Sequence, residues 1–192
     1  AAEDSGGEAL ADTPAGIFAR LAADAALGDL APVTLLGLLK HPLLRLGARD
    51  NERAAAALER AILRGPRPRA GTTGLAQALE AFRAQLEKFR NKEPSDLHGS
   101  DPRTSLFDSD LAAAGDLVRR LADALAPLES LGKGEHALSD IAARHRDVLA
   151  ISSRDGDHDH AFAGPDGAKL ADALEELAIS EAAAALRIAP SD

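Results

Sequence analysis

Apolar residues recur along most of this chain at intervals of three and four, the spacing that lines one face of an α-helix; nowhere does the odd–even alternation of a half-buried strand appear. The clearest run is Leu75, Leu79, Phe82, Leu86 and Phe89, which places five side chains on one stripe of a helix running from Thr73 to about Arg90. The same spacing returns in Leu111, Ala114, Val118, Leu121, Leu125 and Leu128. Two such seams suit antiparallel pairing within a bundle.

Punctuation residues place the other helices. Thr13 is suited to cap a first helix, Pro14 fits the position after it, Gly28 closes it, and Ile17, Phe18 and Leu21 supply its buried face. A second helix starts near Pro32 and stops by His41, because Pro42 disfavours helical geometry in the residue before it. Leu35, Leu36, Leu38 and Leu39 make it apolar almost all round, which predicts a central position. Asp50 or Asn51 starts a third helix with Ala54, Leu58, Ala61 and Ile62 inward, ended by Gly65 and Pro66. A sixth, near Glu135 to Ile151, carries Leu138, Ile141, Val148 and Leu149; a seventh begins at Pro165 with Leu170, Leu174 and Leu177. The expected fold is all-α, a bundle of about seven helices without a sheet. Residues 1–192 read as one helical domain with an irregular lead over 1–12 and loops over 91–103 and 152–164.

Composition agrees with helix. Of the chain, 45% is hydrophobic, carried by Ala and Leu, with Val only at 33, 118 and 148 and five Phe as the aromatic set. No apolar stretch reaches the roughly 18 residues a membrane-spanning helix needs, and the N-terminus opens on Glu3 and Asp4, so a cytoplasmic protein is expected. Zero cysteine removes disulfides, thiolate metal sites and cysteine nucleophiles. A net charge of −9 opposes tight, sequence-independent binding to nucleic acid, which comes mainly from Lys and Arg releasing counterions from phosphates. The lack of Met and the start at Ala1 fit a fragment of a larger protein.

Catalytic signatures are missing. Gly132-Lys133-Gly134 lacks the upstream glycine and the hydroxyl of a phosphate loop. There is no G-x-S-x-G, no H-E-x-x-H, and no acidic pair followed by E-x-K, so no catalytic residue and no cofactor are assigned. Two clusters carry other chemistry. Asp155, Asp157, Asp159 and Asp166 occupy positions 1, 3, 5 and 12 of a loop that partly imitates a calcium site. Yet His160 sits where the turn wants Gly, and Asp166 where a Glu normally gives two oxygens, so a solvated acidic loop tip is the competing reading. Arg60, Arg64, Arg67 and Arg69 surround Gly65-Pro66, with Lys88, Arg90 and Lys92 beyond; Arg grips phosphate bidentately, but cations also favour helix C-termini and no aromatic interleaves here. His41 and His145 lie on or beside apolar faces, where structural histidines are the rule.

The segments Asp4-Ser5-Gly6-Gly7, Leu10, Thr13-Pro14-Ala15-Gly16 and Leu30-Ala31-Pro32-Val33-Thr34-Leu35-Leu36-Gly37-Leu38-Leu39-Lys40-His41-Pro42-Leu43 resemble the central region of bacterial AddB proteins. Leu-Leu-Lys-His-Pro-Leu is the most specific element; weaker similarity continues in Arg60 to Arg69 and in Phe162-Ala163-Gly164-Pro165-Asp166-Gly167. The resemblance implies a place in an ATP-dependent helicase–nuclease that resects double-strand DNA ends for recombinational repair, with AddA as partner subunit. Within it the matching stretch resembles the helical 2B insertion of superfamily I helicase folds, which packs on DNA or on the partner. The family's nuclease motif and cluster cysteines are not in this chain, so no catalytic residue carries over. The expected role is a non-catalytic helical segment contacting the rest of AddB, AddA or DNA. A stand-alone all-helical interaction module is the alternative, and a calcium-binding regulator the third.

Overall fold

In the computed structural model, which describes residues 9–48, 51–132 and 134–189, eight α-helices carry the fold. They are α1 (Pro14–Leu27), α2 (Pro32–Leu39), α3 (Glu52–Leu58), α4 (Gly71–Arg90), α5 (Asp108–Glu129), α6 (Leu138–Ser153), α7 (Gly164–Ile179) and α8 (Glu181–Ala185). The residue 1–8 part of the irregular lead, with Asp4-Ser5-Gly6-Gly7, lies outside the described residues, as do Asp50 and Lys133. Leu10–Asp12, also assigned to the lead, form a 3₁₀ turn on α1.

The organising element is α5. The expected seam is buried throughout, and Leu117 and Ala124 extend it to a second face, so the helix packs against α1, α3, α4 and α6. α4 runs antiparallel to it: Thr72 at the start of α4 meets Glu129 at the end of α5, and Arg90 at the end of α4 meets Asp108 at the start of α5. No α4 side chain caps its own first turn. The Glu129 carboxylate does so from across the bundle, accepting from the Thr72 N–H at 2.9 Å and its hydroxyl at 2.6 Å. α6 and α7 form a second antiparallel pair, and the buried apolar residues make one continuous core from Ala15 to Leu174.

Several expectations change. α2 is not central: Leu35, Leu38 and Leu39 are buried, but Val33 is 84% exposed, and the helix packs on α1 and α3 at the edge. At eight residues it is too short to enclose on all sides, and the longer α5 takes the centre. α1 buries Ala15, Phe18, Ala19, Ala22, Ala25 and Ala26, with Ile17 and Leu21 half-buried at the margin, because alanines let neighbouring helices approach closely. Leu138, Ile141 and Leu177, read as core-facing, are half-buried or, for Leu177, exposed at the ends of α6 and α7. An eighth helix, α8, follows Ser180, whose hydroxyl accepts from the Ala183 N–H. Five residues are too few to show a period.

The fold is not wholly without strands. β1 (His136–Ala137) pairs antiparallel with β4 (Arg187–Ile188), tying the entry of α6 to the chain beyond α8. That pairing also shortens α6 from its expected start at Glu135. β2 (Arg154–Asp155) pairs with β3 (His158–Asp159) across a two-residue turn in which Gly156 takes a φ of 61°. The loop expected over 152–164 is thus the end of α6, a hairpin and a 3₁₀ turn; that over 91–103 leads into another 3₁₀ turn, Pro102–Ser105.

A clasp joins distant parts. After α2 the chain turns through Leu46 (φ 51°) and Gly47 (φ 73°), so that successive N–H groups face the end of α6. Arg45 and Leu46 N–H donate to the Ser152 carbonyl and Gly47 N–H to that of Arg154, satisfying carbonyls a helix end leaves free. Asn51 Nδ2 and Arg120 Nη1 donate to the Arg45 and Leu46 carbonyls and hold the clasp from α3 and α5.

Candidate anion-binding cleft

α3 does not stop at Leu58. It continues into a π-helical turn, Glu59–Leu63, closed by the Arg64 N–H on the Glu59 carbonyl, before Gly65 and Pro66 end it. The extra residue per turn buries Ala61, Ile62 and Leu63 in succession while Arg60 and Arg64 stay exposed. Such single π turns concentrate at functional sites.

Facing this turn is the Pro102–Ser105 segment. Asp101 precedes it, accepting from the Arg103 N–H at 2.9 Å and gripping the Arg103 guanidinium with both oxygens, Nη2 to Oδ2 at 2.7 Å. The guanidinium lies over the Phe82 ring, 5.3 Å from its centroid. Arg60 crosses from the π turn and donates to the Ser105 hydroxyl at 2.9 Å and the Pro102 carbonyl at 3.4 Å. Between the segments lies a cleft of about 340 Å³, with Arg60, Arg64, Gly65 and Pro66 on one side and Asp101, Pro102 and Arg103 on the other.

Its electrostatics are local. Glu59 serves two cations, Lys40 at 3.0 Å and Arg64 at 2.9 Å, and these hold its carboxyl below the ordinary carboxylate value. Arg103 holds Asp101 down in the same way and is itself shifted upward. Arg60 hydrogen-bonds neutral acceptors, and its charge helps to hold the more distant Asp110 carboxyl down.

Of the four arginines picked out by sequence, Arg60 and Arg64 line the cleft, whereas Arg67 and Arg69 are exposed on the irregular link beyond it. Arg103 was missed because it lies 39 positions beyond Arg64, and only the packing of the 101–105 turn on α3 brings the two together. Of the more distal cations, Lys88 and Lys92 are exposed, and Arg90 ties α4 to Asp108 and the Leu106 carbonyl.

The acidic loop does not gather into a ligand shell. Asp155 and Asp157 sit on the hairpin, Asp159 is held by Arg154 at 2.9 Å, and Asp166 lies in the first turn of α7 beside Lys169. Among the described residues no three His, Asp or Glu side chains are placed to hold a metal ion. The Gly-Asp pair at 156–157, which forms the two-residue turn, was the hairpin signal.

His145 donates from Nε2 to the Ala19 carbonyl at 2.9 Å, and burial pushes its pKa down. His41 accepts the Leu43 N–H at Nδ1, lies against Phe18, and is likewise lowered by burial. Two hydroxyls stand beside a base, but both pairs serve the backbone. Glu129 caps α4 through Thr72, and His98 Nδ1, 2.8 Å from the Ser100 hydroxyl, also takes the Ser100 N–H.

No described helix is long and apolar enough to cross a membrane. No family model, curated protein or solved structure matches the chain.

Proposed function

We propose that this chain is a non-catalytic helical scaffold within a cytoplasmic double-strand break repair helicase–nuclease of the AddAB kind, part of the AddB-like subunit. It braces that subunit and meets AddA or DNA in the whole complex. One observation carries the reading: the Gly/Pro-punctuated segments of the resemblance, remote in sequence, meet around α1. α2 and the 160–167 segment both pack on it. Two of their glycines do the same task. A Cβ at Gly16 would strike the Leu10 carbonyl, and one at Gly167 the backbone of Ala161 and Phe162, so each lets the preceding turn lie on the first turn of its helix.

The test is to read the coding sequence on both sides. Helicase-like segments upstream and a cysteine-bearing nuclease downstream are expected; stop codons flanking these residues would overturn the assignment. In a binding assay the chain alone should hold a long DNA duplex weakly at physiological salt, and nanomolar affinity would contradict the scaffold role.

A stand-alone interaction module is the second reading. It is favoured by exposed Leu177, Ile179 and Leu186, which follow one another from the end of α7 through α8. Under it the gene ends near Asp192 and replacing Ile179 by Asp abolishes association with a partner.

A further inference from the structure

We infer that the cleft between the π turn of α3 and the Pro102–Ser105 turn is a receptor for one phosphate group on a nucleotide-sized ligand. The inference stands on the cleft alone and is independent of the family reading. Each lining guanidinium has a fixed part and a free part. Arg64 uses Nε and Nη2 on Glu59, Arg103 uses Nε and Nη2 on Asp101, and Arg60 uses Nη2 on Ser105 and the Pro102 carbonyl. In all three, Nη1 makes no hydrogen bond among the described residues. Arg103 Nη1 faces Gly65, whose absent side chain leaves it open: a Cβ there would lie 3.9 Å from it.

Each guanidinium thus keeps an unused donor at the cleft, and the bonds that tie the rest of it reduce the freedom lost when a phosphate binds. Grouping them costs repulsion that Glu59 and Asp101 offset at Arg64 and Arg103, whereas Arg60 hydrogen-bonds only neutral acceptors and feels a carboxylate, Asp110, through space. A dianion in the cleft would remove that repulsion. Pro66 and Pro102 supply apolar wall with no N–H donor, suited to a sugar or base ring beside the phosphate, and about 340 Å³ suits a nucleotide. A long polyanion is disfavoured by the chain's net charge of −9.

The phosphate could belong to a free nucleotide or to the 5′ end of a strand. The experiment is an amide-shift NMR titration of the whole chain with inorganic phosphate, a nucleoside 5′-monophosphate, the unphosphorylated nucleoside, and short oligonucleotides with and without a 5′-phosphate. Saturable shifts over 60–66 and 101–105 are expected with the monophosphate and not with the nucleoside. For the 5′-phosphorylated oligonucleotide the log–log salt slope should be shallow, about −0.7, as for one phosphate contact on a single strand. Arg60→Ala and Arg103→Lys should each weaken binding about tenfold, the second because it keeps the charge but loses the fork. Arg67→Ala and Arg69→Ala should change it less than about twofold, since distant exposed charges are screened. Thermal melts confirm that each variant is folded. Preference for the phosphorylated oligonucleotide assigns the ligand to strand ends; binding of the mononucleotide alone assigns it to free nucleotides. Equal binding of both oligonucleotides with a slope steeper than about −3 would show a backbone track instead and overturn the inference. So would the absence of saturable shifts up to roughly 10 mM monophosphate, or an equal response to the bare nucleoside.

Discussion

The middle of α5 and the cleft beside α3 are built by opposite means. Along α5 a regular period of three and four sends Leu117, Leu121, Leu125 and Leu128 into the core, and burial of uniform apolar side chains does the rest. At the cleft regularity fails: a π turn, two prolines and a 3₁₀ turn interrupt the helices and leave charged side chains with fixed, partly satisfied geometry. Periodic sequence builds the support, and its interruptions hold the groups able to recognise something.

Leu121→Ala tests the first half of that contrast most severely. The side chain is fully buried, so truncation should cost about 2–5 kcal/mol in urea unfolding, while Leu177→Ala, at an exposed position, should cost less than about 1. Equal losses would mean that α5 is not the centre.

Smaller, and specific to packing between the seams, is Glu129→Ala. It removes the side chain that caps the first turn of α4 and leaves the buried Thr72 hydroxyl and N–H without their acceptor, for an expected loss of about 1–2 kcal/mol. Recovery of most of that loss in Glu129→Gln, which keeps an acceptor oxygen, would assign the effect to capping.

Acid should separate the two regions further. His41 and His145 have pKa values below that of an unfolded histidine, so the unfolded chain binds protons first and stability declines as pH falls below about 6.5. Asp101 and Glu59, held down by their cation partners, contribute stability that is complete above about pH 4.5 and lost as pH falls further. Melting temperature against pH should therefore fall in two steps. His145→Gln should remove most of the upper one; a single step below pH 4.5 in the unaltered chain would refute the buried, neutral histidine.

The smallest effect belongs to the hairpin. Joint replacement of Asp155 and Asp157 by Asn should leave the melting temperature unchanged, with or without millimolar calcium. A calcium-dependent rise that the double variant loses would restore the regulator reading.

Helix positions were legible because periodicity and caps are local. Thr13 caps α1 with its side chain, Gly65-Pro66 ends the third helical segment, and both seams are buried as their spacing requires except at Phe89, which is half-buried at the end of α4. The position of α2 was not legible. Four leucines signal burial, but which helix occupies the centre depends on the lengths and faces of all the others. For the site the division is sharper: the sequence pointed to Arg60 and Arg64 and, equally, to Arg67 and Arg69, which lie outside the cleft.

By itself, then, the sequence determined where the seven longer helical stretches lie, the main apolar stripes of α4 and α5, and that thiol chemistry and a phosphate-loop motif are missing, since each depends on residues close together in the chain. The tertiary structure alone decided that Arg103 joins Arg60 and Arg64, that Glu129 caps α4, and that the clasp at Leu46 and Gly47 seals α6. These are meetings of residues dozens of positions apart. Nothing in local propensity encodes them, because they are set by how the core packs as a whole.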